Sequence, residues 1–234
     1  MNPPVGRVAA IERFPVKSLV GERLEEVAVD SRGLVGDRLW SVRDPDGKFG
    51  SGKTTTRFRR MDGLLDLASA YDGEVPVITF PDGRLIRGRG PETDRALSEH
   101  VGRPVSLARE EAVSHLDEGP VHLVTTASLA TLSRAHGRPV DWRRTRANLL
   151  VALEGAGFPE HGWVGRLVSV GPEVVLRIRD VMPRCVMVNA AQDGLPVDTQ
   201  VLRTVTDLTD GALGVVADVE QGGVVTERAA VIVR

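Results

Sequence analysis

Apolar and polar residues alternate along many short segments of this chain, and the alternation predicts β-strands. The clearest case is Val174–Arg179, where apolar residues two positions apart share one face of a strand. Glycine-containing turns such as Asp44–Gly47, Pro81–Gly83 and Gln221–Gly223 separate such segments. The pattern predicts strands over Gly6–Phe14, Leu24–Asp30, Leu39–Arg43, Leu65–Ala70, Val75–Phe80, Arg84–Arg87, Val105–Arg109, Val121–Val124, Ala147–Leu153, Arg166–Val170, Val174–Arg179, Val186–Val188, Leu213–Val219 and Ala229–Val233.

Three segments carry the signals of short helices. Thr93–Val101 has an acidic first turn and stops before Gly102, and Thr126–His136 stops before Gly137. Thr199–Asp207 has apolar residues at helical spacing. Many short strands with few helices predict a mainly β (α+β) fold, in which a β-barrel carries short peripheral helices.

The charged segment Glu110–Gly119 interrupts the strand pattern and has no apolar periodicity. We interpret it as a linker, which divides the chain into an N-terminal β subdomain over residues 1–112 and a C-terminal β domain over residues 113–234. A chain of 234 residues is long enough for one compact domain or for two small ones.

Composition narrows the class of protein. A formal charge of −2, with 41% hydrophobic and 26% charged residues, is typical of a globular protein without a polyanionic partner such as nucleic acid. No apolar run approaches the roughly 20 residues of a membrane helix, and the N-terminus lacks the apolar core of a secretory signal. A single cysteine excludes an internal disulfide framework. We therefore expect a cytoplasmic protein with no membrane partner.

A phosphate-binding motif lies near the end of the first quarter of the chain. Gly47–Thr54 matches G-x-x-x-x-G-K-[ST], which requires a preceding strand and a helix directly after the lysine. The following residues, Thr54–Arg60, are β-branched and basic, which favours a strand or loop over a first helical turn. A P-loop nucleotide binder stays a remote alternative. The basic residues here, Lys53 and Arg57 among them, suit a small anionic ligand.

Further polar groups occur where strands are predicted to begin or end. Lys17 and Ser18 follow the first strand, where an ammonium and a hydroxyl can hold a phosphate, and Arg38 precedes another strand. Arg146 and Asn148 are placed on one face of the predicted strand Ala147–Leu153. The alternatives are an ordinary surface lysine in the first case and a solvated pair on an edge strand in the second.

The lone cysteine, Cys185, follows Pro183-Arg184 and precedes an apolar segment. The adjacent guanidinium favours a thiolate, which binds soft metals, whereas a cysteine in an apolar strand is usually a small buried hydrophobe. The five histidines show no paired metal-ligand spacing, and His122 within an apolar strand is typical of a hydrogen-bonded core residue.

Together these segments resemble the MOSC domain family, named for the C-terminal domain of molybdenum cofactor sulfurases. The resemblance rests on elements in the family's order. Phe14–Ser18 and Gly36–Trp40 are similar to its N-terminal β-barrel segment, His122–Leu129 to the start of the MOSC domain, Arg146–Leu149 to its Arg-Pro-Asn element with Ala147 for the proline, Trp163–Gly165 to a tryptophan turn, and Arg184-Cys185 to the molybdenum-ligating cysteine of the amidoxime reducing component. In the last strand, Glu227-Arg228 stands where relatives usually carry Gly-Asp.

The resemblance implies a β-barrel MOSC fold with an N-terminal β-barrel-like subdomain, and a molybdenum cofactor (Mo-molybdopterin). Cys185 would be the metal ligand, and Asp117 would be a catalytic residue beside the metal. The cofactor-binding set predicted from the resemblance and the basic segments is Lys17, Ser18, Arg38, Lys53, Arg57, His122, Arg146, Asn148 and Arg184.

The resemblance further implies an oxidoreductase that reduces N-oxygenated small molecules such as N-hydroxylamines and amidoximes. One cysteine cannot ligate an iron–sulfur cluster, so electrons would come from an external donor, a ferredoxin or a flavoprotein reductase. Two alternatives remain open. Cys185 could carry a persulfide as a sulfur carrier, or the protein could be a non-catalytic cofactor carrier.

Overall fold

The computed structural model describes residues 2–234, which form eighteen strands, three α-helices and four short 3-10 helices. The helices are α1 (Pro91–Val101), α2 (Thr126–His136) and α3 (Gln200–Thr209). The strands are β1 (Gly6–Arg13), β2 (Glu22–Leu24), β3 (Glu26–Asp30), β4 (Gly33–Leu34), β5 (Trp40–Arg43), β6 (Phe49–Ser51), β7 (Phe58–Arg60), β8 (Ala68–Asp72), β9 (Val75–Thr79), β10 (Leu85–Arg87), β11 (Ser106–Arg109), β12 (Val121–Thr125), β13 (Leu149–Ala152), β14 (Leu167–Val170), β15 (Val174–Pro183), β16 (Ala212–Gln221), β17 (Gly223–Thr226) and β18 (Ala230–Val233).

Seven strands close into a barrel in the order β13-β12-β16-β15-β14-β18-β1, and β1 pairs back to β13. All pairs are antiparallel except β12 with β13. The alternating apolar residues of these strands point inward, so that Val8, Leu123, Leu176 and Val215 lie in one buried core. The predicted mainly β barrel fold with a few short helices is confirmed.

The first strand of the chain belongs to the barrel of the C-terminal half. Ile11 of β1 pairs with Leu149 of β13, and Gly6 pairs with Val231 of β18. Strand β3 also pairs along its length with β17. Residues from both halves of the chain therefore share one core, while the division into residues 1–112 and 113–234 stays a prediction.

Residues of the N-terminal part have a second core. The strands β11-β5-β6-β7 and β10-β9-β8 form two small sheets, and α1 packs against them. Leu19, Leu67, Ile78 and Leu97 are fully buried there. A third apolar cluster lies under α2 and α3, outside the barrel. No helix within residues 2–234 is long and apolar enough to cross a membrane.

One predicted strand is wrong. Val186–Val188 is the first part of a 3-10 helix, Val186–Asn189, rather than a strand. Strand β15 ends at Pro183, and the chain then turns, so that the Val188 amide donates to the Cys185 carbonyl oxygen at 3.2 Å. Cys185 therefore precedes a tight turn instead of lying within a strand.

The P-loop alternative is also wrong. Strand β6 lies within Gly47–Thr54, and no helix begins directly after Lys53. The chain instead continues to β7, which pairs in parallel with β6. A P-loop depends on the amides of a helix N-terminus to bind phosphates, and this segment has none. The motif is a glycine-rich connection between two short strands.

Candidate functional site

A cavity of about 250 Å³ opens where the N-terminal loops meet one end of the barrel. Eleven residues were predicted from the sequence to form the site, and nine of them line this cavity. These are Lys17, Ser18, Arg38, Lys53, Asp117, His122, Arg146, Arg184 and Cys185. Residues separated by more than 160 positions in the sequence thus meet in one place. Arg57 and Asn148 do not line the cavity.

The cavity is strongly cationic although the whole chain carries a formal charge of −2. Six cationic side chains line it against two carboxylates, those of Asp117 and Glu118. The formal excess of four positive charges favours a small anionic ligand. The cations are Lys17, Arg38, Lys53, Arg144, Arg146 and Arg184.

Lys17 is the most deeply buried amine of the cavity, with 3% of the residue exposed. Its Nζ donates to Asp117 Oδ1 at 2.7 Å and lies 5.2 Å from the centre of the Phe58 ring. Burial lowers the pKa of Lys17 to about 8, although Asp117 acts in the opposite direction. Burial also opposes ionisation of Asp117, but the adjacent ammonium outweighs it, so the pKa of Asp117 lies below its ordinary value.

Three residues that line the cavity hold a left-handed backbone conformation, which is uncommon outside glycine. The φ angles are 67° at Ser18, 51° at Arg38 and 53° at Arg146. The surrounding structure maintains this conformation. Arg38 donates through Nη2 to the Arg146 carbonyl oxygen at 3.0 Å, and Arg146 donates to the Leu19 carbonyl oxygen at 2.7 Å. Such strained positions occur preferentially at functional sites.

The two arginines Arg38 and Arg146 share one aromatic partner. Their guanidinium carbons lie 4.6 and 4.3 Å from the centre of the Phe14 ring. Burial, followed by the charge of Arg38, lowers the pKa of Arg146 to about 10, which still leaves it charged at neutral pH. The ring thus holds two like charges close together, and the buried carboxylate of Asp37, which is ion-paired with Arg38, offsets part of their repulsion.

Cys185 is a half-buried free thiol at the edge of the cavity. The irregular pairing of β15 with β16 between Val181 and Pro183 directs the chain into the turn that carries it. The preceding residue, Arg184, donates through Nη2 to the Thr145 carbonyl oxygen. Burial lowers the pKa of Arg184 to about 10, with Cys185 acting in the opposite direction.

The Nε of Arg184 is buried and has no hydrogen-bond partner within residues 2–234. A buried N–H without an acceptor is costly, so this donor is evidence for a ligand with an acceptor atom at this wall of the cavity. Because its pKa of about 10 leaves Arg184 charged at neutral pH, a negatively charged acceptor would suit this position.

His122 is a buried neutral base behind Arg184. Its Nε2 lies 3.3 Å from Arg184 Nη1. Burial and the charges of Arg184 and Arg38 keep the pKa of His122 well below 6.5. Gly214 makes room for the ring, because a Cβ there would lie 2.9 Å from His122 Nε2. Its φ of +76° also favours glycine. His122 thus orients a guanidinium rather than carrying charge.

The two predicted residues outside the cavity support its walls. Arg57 donates to the carbonyl oxygen of Leu116, next to Asp117, at 2.9 Å. Asn148 accepts from the His122 amide at 3.1 Å and donates through Nδ2 to the Glu12 carbonyl oxygen at 3.3 Å. These atoms are used by backbone groups of the chain itself, whereas Arg57 Nε is buried without a hydrogen-bond partner among residues 2–234.

Sequence reasoning missed several residues of the cavity, of which Arg144 is the most informative. Its guanidinium donates to the carbonyl oxygens of Ala190 at 3.1 Å and Pro196 at 2.6 Å, so that it holds the loop after Cys185. Met182 and Met187 were also missed, although both lie within three residues of Cys185. For the two methionines, proximity to Cys185 was the only signal in the sequence. No group of three or more His, Cys, Asp or Glu side chains in the described structure could hold a metal by itself.

Comparison with known proteins gives a consistent result. A family profile described as "MOSC domain" matches residues 100–231, and one described as "MOSC N-terminal beta barrel domain" matches residues 5–102. No curated protein matches the chain.

Among solved structures, the YuaD protein from Bacillus subtilis is 15% identical, with a TM-score of 0.51 over 97% of this chain and 94% of that one, which supports the same fold. YiiM from Geobacillus stearothermophilus is also 15% identical, with a TM-score of 0.41 over 75% of each chain. Because the two profiles together match residues 5–231, the chain belongs to the MOSC domain family.

Proposed function

We propose that this protein binds a molybdenum cofactor (Mo-molybdopterin) in the cationic cavity and reduces N-oxygenated small molecules. The observation that carries the proposal is the meeting of the lone thiol, Cys185, with six cationic side chains in one cavity. A soft sulfur ligand beside an anion-binding surface matches a soft metal held by a phosphorylated organic cofactor.

The residues present fit such a group. Cys185 would be the protein ligand to the metal, since thiolates are suited to soft metals. Arg184 offers its unpartnered Nε, and Arg38, Arg146 and Lys17 supply charge for a phosphate. When bound, the cofactor supplies the oxygen-transfer and redox chemistry that side chains lack.

The chain's own contribution to the reaction is orientation and a proton. At neutral pH, Lys17 Nζ is protonated because its pKa is about 8, and it is held by Asp117 at 2.7 Å. Reduction of an N–OH group to N–H consumes an electron pair and two protons and releases water. We assign Lys17 and Asp117 to the delivery of a proton to the departing oxygen.

Electrons must come from another protein under this proposal. With a single cysteine the chain cannot ligate an iron–sulfur cluster, so a ferredoxin or a flavoprotein reductase is proposed as the donor. In an assay, reduced methyl viologen can replace the natural donor, which separates the test of the site from the identity of the partner.

The substitution Cys185→Ser tests the proposal. We expect wild-type protein to retain molybdenum by elemental mass spectrometry and to reduce benzamidoxime with reduced methyl viologen. The variant should lose metal, and its turnover should fall by at least about a hundredfold, because the soft ligand is gone. Val164→Ala, at an exposed position, is the control for expression and folding. A Cys185→Ser protein with wild-type metal content and turnover would contradict the proposal.

A sulfur carrier is the second candidate, favoured by the half-buried thiol beside the Arg184 guanidinium. Incubation with a cysteine desulfurase and cysteine would then add about 32 Da to Cys185, the mass of one sulfur atom, in protein that contains no molybdenum. A third outcome, retained molybdenum without turnover of N-oxygenated compounds, would identify a non-catalytic cofactor carrier.

A further inference from the structure

A larger groove, of about 420 Å³, lies directly beside the cationic cavity. It runs between residues 60–66 and residues 186–199, and we call it the methionine groove. Its apolar lining consists mainly of Met61, Leu64, Leu65, Val186, Met187 and Val197. Val186 and Val197 are 49% and 64% exposed, so the chain leaves this apolar surface open to solvent.

The charge of the methionine groove is opposite to that of the cavity. Arg60 is its only lining cation among the described residues, and it is paired with Asp62 at 2.8 Å. Asp66 adds a second lining carboxylate, which gives a formal charge of −1. The groove therefore disfavours the anions that the cavity attracts, and its surface suits an uncharged apolar molecule.

Two residues border both spaces. Met187 and Ser18 line both the cavity and the methionine groove. The sulfur of Met187 packs against Gly52, where a Cβ would lie only 2.3 Å from it. The residue before Met187 is Val186, which also lines the groove and follows Cys185 directly in the sequence. A flexible thioether at this position can adapt to different ligand shapes.

We propose that the methionine groove binds the apolar body of an uncharged, ring-sized N-oxygenated substrate, with Met187 as the residue that determines its fit. The inference rests on the proposed function for the identity of the reacting group. Three observations support the occupant: continuity with the cavity, the absence of an unpaired lining cation in the described groove, and a volume within the range of small-molecule sites. The polar N–O end would extend past Met187 towards Cys185.

The methionines of the chain allow a direct test. Met61 lines only the groove, Met182 lines only the cavity, and Met187 lines both. In purified full-length protein with ¹³C-labelled methionine methyl groups, uncharged benzamidoxime should shift the resonances of Met61 and Met187 and leave that of Met182 in place. Inorganic sulfate should shift Met182 and Met187 and leave Met61 unmoved. Benzoate, an anion of similar size, should not shift Met61 at concentrations at which benzamidoxime does.

A charged variant adds a measure of affinity. Val197→Asp places a carboxylate on the exposed wall of the groove and should weaken benzamidoxime binding by about tenfold. Leu85→Asp, which is 67% exposed on β10, is the matched control and should bind as the wild type does. Equal affinity in both variants, or a shift of Met182 in place of Met61, would overturn the inference.

The test of the groove is separable from the test of the proposed function, because benzamidoxime binding to the groove does not require molybdenum. Benzamidoxime bound in the methionine groove of a protein that retains no metal would support the groove and contradict the redox proposal. Retained metal and turnover, with no shift at Met61, would support the redox proposal and overturn the groove.

Discussion

At the scale of single residues, the cavity depends on backbone conformations that its own side chains maintain. Arg38 and Arg146 are left-handed, and each guanidinium helps to hold the chain by donating to a carbonyl oxygen. The same guanidinium groups flank Phe14 and face the cavity. Each of these arginines both fixes the backbone and supplies charge, so lysine would not replace either of them well.

Lys17 gives the cavity a pH dependence within the physiological range. Its pKa is lowered from 10.5 to about 8, chiefly by burial, so the ammonium is present below about pH 8 and is lost as the pH rises through that value. Sulfate does not change charge in this range, and its affinity should fall above about pH 8 by up to about tenfold per pH unit. Titration calorimetry of sulfate across this range measures the effect.

The control for this prediction is Lys17→Met, which keeps the length of the buried side chain without its charge. The variant should bind sulfate more weakly at pH 7, and the decrease near pH 8 should disappear. The same decrease in the variant would show that another group is responsible. Arg146 and Arg184 are not candidates for that group, because their pKa values of about 10 lie above the range in which the decrease is expected.

At the scale of secondary-structure elements, Asn148 joins three barrel strands next to the cavity. It immediately precedes β13, while its side chain contacts the backbone of His122 in β12 and Glu12 in β1. Asn148 is 1% exposed. The asparagine of the family's Arg-Pro-Asn element therefore holds strands in place in this chain. The arginine of that element, Arg146, lines the cavity itself.

We expect Asn148→Ala to destabilise the protein by about 3 kcal/mol, because it leaves a buried N–H and a buried carbonyl without partners. Urea denaturation would measure the change in the free energy of unfolding. Gln200→Ala, at the exposed start of α3, is the control and should change the stability by less than about 0.5 kcal/mol. An effect of similar size in both variants would contradict this role for Asn148.

Elements with a local signal were predictable from the sequence, and α2 was predicted over its full range, with Gly137 marking its end. In the structure Thr125 caps its start. The turn after Cys185 was not predicted, since Val186–Val188 is apolar enough to suit a strand. Nine of the seventeen residues that line the cavity were predicted, from the basic segments, the lone cysteine and the family resemblance. The supporting contacts of Arg57 and Asn148 depend on packing between distant segments, which a single sequence does not display.

At the scale of the whole molecule, the barrel is closed by a strand from the other end of the chain. Strand β1 lies between β13 and β18, so its removal would leave both of these with unpaired edges. The two family profiles meet near residue 100, whereas residues from both sides of that boundary form the barrel core.

We therefore expect the fragment 113–234 to show no cooperative thermal unfolding. A matched fragment provides the control. Residues 5–34, joined after residue 234 through a short glycine–serine linker, would restore β1 beside β18 and β3 beside β17, since Gly6 pairs with Val231 near the end of the chain. Calorimetry should show a cooperative transition for the joined fragment only. A cooperative transition in the plain fragment would contradict the dependence on β1.

The closing position of β1 also sets an order of events during synthesis. Strand β1 is synthesised before its partner β18, which ends at Val233, and it must wait for that strand. Contacts of such long sequence separation form slowly, and until they form, Val8 and Ile11 remain without their core. The barrel can therefore close only after β18 has been synthesised, and until then β1 is the segment for which a chaperone would be most useful.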